Sequence, residues 1–114
     1  LWIDLERVNS MMLTFVDNDE NIERYMSHND QMSFQELMYK AEYDTAWNDS
    51  GIMVKMVVPE YTVVIGYKNS TDDQNDWLMM WRENNKVKFK NTWYIMPYDT
   101  KDEVVTLLEK YREY

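Results

Sequence analysis

Tyr61-Thr62-Val63-Val64-Ile65-Gly66-Tyr67 is the stretch on which the fold turns. It is β-branched and aromatic, carries no charge, and lies between Pro59-Glu60 and the polar residues 68–76. Such a run reads as a strand. The texture continues on both sides. Residues 52–58 read as a strand before it and residues 77–81 as one after it, although Thr71 also offers a cap for a helix over 72–84. Asn84-Asn85 predicts a tight hairpin into residues 87–90, and residues 92–96 predict a further strand that stops at Pro97. Thr100 is placed to cap a closing helix with Val104, Val105, Leu107, Leu108 and Tyr111 on its inner face.

Upstream of Gly51 the spacing is helical instead. Trp2, Leu5, Val8, Met12 and Phe15 recur at three- and four-residue steps, which predicts an amphipathic helix. Asp17-Asn18-Asp19-Glu20-Asn21 breaks it and opens a short helix with Ile22, Tyr25 and Met26 on one face, ended by His28-Asn29-Asp30. Ser33 and Glu36 form a capping box for a third helix lined by Phe34, Leu37, Met38, Ala41 and Tyr43 and stopped by Asn48-Asp49-Ser50-Gly51. The expected architecture is a single α+β domain: N-terminal helices, then an antiparallel β-meander, then a C-terminal helix.

A chain of 114 residues fits one domain, and 45% hydrophobic content with 5 Trp, 9 Tyr and 3 Phe supplies a core. There is no Cys, no apolar run long enough to span a bilayer and no basic-then-apolar leader, so a cytoplasmic protein without membrane contact is expected. The net charge of −9 argues against direct nucleic-acid binding. Its distribution is uneven: residues 1–50 hold 11 acidic and 3 basic side chains, residues 51–114 hold 10 and 9. That excess is either a solvated surface or a one-signed field suited to a basic groove.

Residues for catalysis are sparse. His28 is the only histidine, and Gly51 and Gly66 stand isolated, so neither a triad nor a phosphate loop can be built. The segment from Asp17 has Ile22 where a calcium loop needs glycine and His28 where it needs the bidentate Glu. The expectation is a protein that is not an enzyme and uses no cofactor or metal. Ten methionines fill a core or grip a partner. Trp77, Met79 and Trp81 alternate on one strand face, either as sheet core or as a sticky groove.

Tyr43-Asp44-Thr45, Ser50-Gly51-Ile52, Val63-Val64-Ile65-Gly66-Tyr67, the acidic loop after it, Asp76-Trp77-Leu78-Met79-Met80 and Ile95-Met96-Pro97 together resemble the staphylococcal uracil-DNA glycosylase inhibitor family over about residues 30–97. The first 28 residues match only as a pattern of helix, acidic stretch and helix. The resemblance implies a DNA mimic from a phage or mobile element that occupies the glycosylase's DNA-binding groove, with carboxylates in place of phosphates and an apolar pocket for the enzyme's wedging leucine. It implies Asp17, Asp19, Glu20 and Glu23 as phosphate mimics. Asp72, Asp73 and Asp76 map to the contacting loop, which lacks the family's histidine, and Trp77, Met79 and Trp81 to the pocket wall. The partner expected is uracil-DNA glycosylase in a one-to-one complex, with the protein monomeric alone. The alternatives are another DNA-mimic antagonist, such as an anti-CRISPR or antirestriction protein, or an assembly protein that self-associates through the Trp–Met stripe.

Overall fold

A computed structural model describes residues 1–17, 20–50 and 57–113. Its centre is a seven-stranded antiparallel sheet of β1 (Val8–Asp17), β2 (Glu20–Tyr25), β3 (Glu42–Tyr43), β4 (Tyr61–Tyr67), β5 (Asp76–Met80), β6 (Lys86–Phe89) and β7 (Thr92–Ile95), in the order β2-β1-β4-β5-β6-β7-β3. The helices are α1 (His28–Met38), the short α2 (Thr45–Asp49) and α3 (Tyr98–Glu109). One sheet face is covered: Met11, Leu13, Phe15, Tyr61, Val63, Ile65, Leu78, Met80, Val87 and Phe89 form one core with Phe34 and Met38 of α1 and Val104 and Leu108 of α3. An antiparallel sheet needs only one dry face.

The downstream expectations hold in part. β4 spans the predicted stretch, β5 wins over the alternative helix, and α3 buries Val104, Leu108 and the following Tyr111 as expected. Thr71 starts only a single 3-10 turn, Asp72–Gln74, before the chain extends into β5. Thr100 is buried one turn inside α3, whose N-cap position is Pro97. The Asn84-Asn85 hairpin is not tight: residues 81–85 bridge β5 and β6, and Asn85 is held by a bond from its Nδ2 to Met96 O (2.7 Å). The two-residue turn lies instead at Lys90-Asn91, with φ of 50° and 63°, the left-handed pair that matches strand twist in a hairpin. Of the strand expected over 52–58, residues 52–56 lie outside the described residues, and Val57 and Val58 belong to no strand.

The N-terminal helices are corrected. After a 3-10 turn at Leu5–Arg7, the chain forms the β1–β2 hairpin, in which Phe15 faces Ile22 and Asp17 faces Glu20 in register. The helical spacing is coincidental, since Met12 and Phe15 lie on opposite strand faces and a bulge near Val8 breaks the period of two. The pairing with β4 slips between Val8↔Tyr67 and Ser10↔Gly66, so the strand holds one extra residue at Asn9. Val8 and Met11, three apart, therefore both turn inward; beyond the bulge Met11, Leu13 and Phe15 keep the period of two, and Met12 lies on the other face. The third helix starts earlier than the Ser33 box and ends at Met38 instead of at 48–51, with β3 and the separate, Asp44-capped α2 in the rest of that stretch. Ser27 is the N-cap of α1, its Oγ accepting from Asp30 N–H (3.2 Å), and His28 opens the helix instead of ending a preceding one.

Three carboxylates tie separate elements together. Glu109 of α3 accepts from Tyr61 Oη (2.5 Å), Arg82 and Arg112 Nε (2.7 Å). Asp30 accepts from Lys110 Nζ (2.6 Å) and the Tyr111 hydroxyl, and Asp44 pairs with Lys86. The Arg112 hydrogen bond leads in holding Glu109 down to about 2, against burial and with help from Tyr61 and Arg82. For Asp30 and Asp44 burial is the largest influence and acts upward, but the bonds from Lys110 and Tyr111, or from Lys86 and the Trp47 N–H, outweigh it and leave both carboxyls below the ordinary range. Groups depressed on folding stabilise the fold above their unfolded pKa, about 4. Unfolding free energy should thus stay level from neutral pH to about pH 4 and fall between there and about pH 2 as the unfolded chain takes up protons. Urea unfolding across that range measures it, and Glu109→Gln should flatten part of the fall. A stability unchanged from pH 5 to pH 2 would show that these ties contribute nothing.

Candidate binding face

The sheet face away from α1 and α3 carries the residues that alternate with the core. Register places Tyr25 opposite Met12, Met12 opposite Val64 and Val64 opposite Trp77, one apolar row across β2, β1, β4 and β5. With strands spaced at about 4.8 Å, the row is about 15 Å wide. Its ends are open to water: Tyr25 is 71% and Trp77 56% exposed. The alternation rule expects polar residues here, and large exposed aromatics in register are the informative departure from it. On one side runs Glu23, Thr14, Thr62, Met79 and Lys88. On the other side Ser10 and Gly66 keep the surface low, since a Cβ on Gly66 would stand 3.0 Å from Ser10 Oγ and 3.4 Å from Asn75 Oδ1.

Trp77 and Met79 thus share the open face, as their spacing predicts. Trp81 does not extend that stripe. It lies past the end of β5, buried, with Nε1 donating to Val57 O (2.7 Å) and its ring 5.2 Å from that of Trp93. Trp93 in turn meets Trp47 edge-on at 4.8 Å, and Lys86 and Lys88 stand over Trp47 and Trp93 at 4.5 and 5.2 Å. This three-tryptophan cluster closes the β7 end of the face. Asn48 seals it by donating to Asp44 O (2.8 Å) and Trp93 O (2.7 Å) and accepting from Trp93 N–H (2.9 Å), which occupies backbone groups near the β3 edge.

The acidic candidates stand at two ends of the sheet. Asp17 and Glu20 close the β1–β2 hairpin, and Glu23 follows on β2, an edge strand. Glu20 and Glu23, three apart on a strand, point to opposite faces, and both are exposed. Asp19 lies outside the described residues. Asp72 and Asp73 are exposed at the other end of the sheet, about 30 Å along β1 at strand rise. Asp76 is not a free carboxylate: it accepts from the Tyr67 hydroxyl and pairs with Lys90 (3.4 Å). Burial, then that bond to Asp76, raises the Tyr67 phenol well above its ordinary value.

Sequence reasoning missed Tyr25 and Met12 as partners of Trp77 on this face, joined to it across β4 by the buried Val64. The signal was present in the alternation of Met11, Leu13 and Phe15, which sends Met12 and its cross-strand partner Tyr25 outward once β1 is read as a strand. Among the described residues no cluster of three His, Asp or Glu is placed to hold a metal, and every buried side-chain nitrogen or oxygen has a hydrogen-bond partner. No helix among them is long and apolar enough to cross a membrane. Comparison with protein-family models, curated proteins and solved structures gives no match.

Proposed function

We propose that the protein is a non-catalytic inhibitor that docks its open sheet face on a DNA-binding enzyme, with uracil-DNA glycosylase as the partner. The in-register row Tyr25–Met12–Val64–Trp77, exposed at both ends, carries the proposal. An aromatic anchor flanked by polar residues is the usual composition of a binding hot spot. The carboxylate of Glu23 at one end and those of Asp72 and Asp73 at the other extend beyond it, a spacing suited to a groove that accepts a phosphate backbone without reading bases, while Glu20 points from the hairpin end to the opposite face. The residues that resemble the staphylococcal inhibitors point to the same class of partner. In this reading the acidic segment stands on a hairpin edge and not between two helices.

Light scattering on the mixture with purified glycosylase tests it, the expectation being a one-to-one complex from a monomeric inhibitor. A stable dimer of the protein alone would favour self-association through the same row, although a charge of −9 on each copy opposes it. Replacing Asp17, Asp19 and Glu20 together with their amides should slow association about tenfold at low salt and flatten its salt dependence, with little change in dissociation. An unchanged association rate in that variant would leave the acids as protection for the β2 edge alone.

A further inference from the structure

At the far end of the sheet from the β1–β2 turn lies a cavity of about 520 Å³, within the size range of small-ligand sites. We propose that it binds a small anion carrying an aromatic ring, of the nucleoside monophosphate type. Three cations line it, Arg7, Lys68 and Lys90, against two carboxylates, Asp4 and Asp76. Of the two carboxylates only Asp76 is paired with a cation among the described residues. Asp76 is held by Tyr67 and Lys90, and Asp4 accepts from the Glu6 N–H (3.2 Å). Arg7 and Lys68 have no carboxylate partner among the described residues, in a chain where acids outnumber bases 21 to 12. They rise from adjacent points, since Lys68 N–H donates to Arg7 O (2.9 Å), and the Arg7 guanidinium stands 5.9 Å from the Tyr67 ring centroid.

Two unneutralised cations side by side, one a guanidinium able to bind two oxygens at once, are complementary to a phosphate. Trp2 also lines the cavity and leaves 62% of its surface in water, a flat apolar platform for a ring. Arg7, Lys68 and Trp2 take no part in the apolar row, although Ser70 and Gln74 of the lining belong to the loop that carries Asp72 and Asp73, and Asp76 follows it.

Titration of the intact protein with AMP, adenosine and inorganic phosphate, followed by tryptophan fluorescence and amide chemical shifts, tests the assignment. AMP should give saturable shifts at residues 2, 7, 67 and 68, bind more tightly than either adenosine or phosphate alone, and weaken with added salt. The double variant Arg7→Gln/Lys68→Gln, exposed at both positions, should fold normally and bind AMP about tenfold more weakly or worse. Absence of saturable shifts, phosphate binding as tightly as AMP, or undiminished binding by the double variant would each overturn the proposal.

Discussion

Asp44→Ala should destabilise the fold by about 3 kcal/mol, the largest effect expected of any single change at a polar residue here. The carboxylate is only 4% exposed and has two structural duties. Its Oδ1 accepts from Trp47 N–H (3.1 Å) and so caps α2, an interaction worth about 1 kcal/mol. Its Oδ2 meets Lys86, whose side chain is itself nearly buried. Removing the carboxylate leaves that ammonium with the Trp47 ring at 4.5 Å as its chief remaining partner, and an uncompensated buried charge accounts for the other 2 kcal/mol or so. Asp44→Asn keeps the cap and should lose about half as much. Urea unfolding of the three proteins measures this; a loss below about 1 kcal/mol for the alanine variant would mean Lys86 reaches water freely.

Trp77→Ala should weaken the glycosylase complex by about 2 kcal/mol, roughly thirtyfold, almost all of it in faster dissociation. The fold should lose much less, because the ring is more than half exposed and its packing is with Val64 across β4 and β5. The same truncation at Trp93, buried between Trp47 and Trp81, should unfold that end of the sheet and is the contrast that separates anchor from core. Surface plasmon resonance with thermal unfolding of both variants reads the two effects apart. An unchanged dissociation rate for Trp77→Ala would remove the row from the interface.

What was legible in the sequence followed from how local each signal is. β4, β5 and β7 announce themselves through β-branched and aromatic runs between polar segments, and α3 through inward positions at helical spacing. β1 hid because residues of the N-terminal turn and of both strand faces fall at three- and four-residue steps, while the bulge at Asn9 interrupts the two-residue period that pairing with β4 reveals. Misreading β1 carried β2 with it, and with β2 the outward position of Tyr25. The residues behind the family resemblance have structural duties here: Asp44 caps α2, and the Ile95-Met96-Pro97 segment leads β7 into α3 with Met96 buried. The exposed candidates were legible as composition, but their division between two faces and two ends of the sheet depends on long-range register that no local pattern carries.

Inhibition of a DNA-binding enzyme by this face is read out by a uracil-excision titration. Purified uracil-DNA glycosylase, a uracil-containing oligonucleotide and increasing amounts of the protein are combined at moderate salt. Excision that falls to baseline near one equivalent of protein is the predicted result. Full excision in the presence of a large excess would exclude the glycosylase as the target of this face.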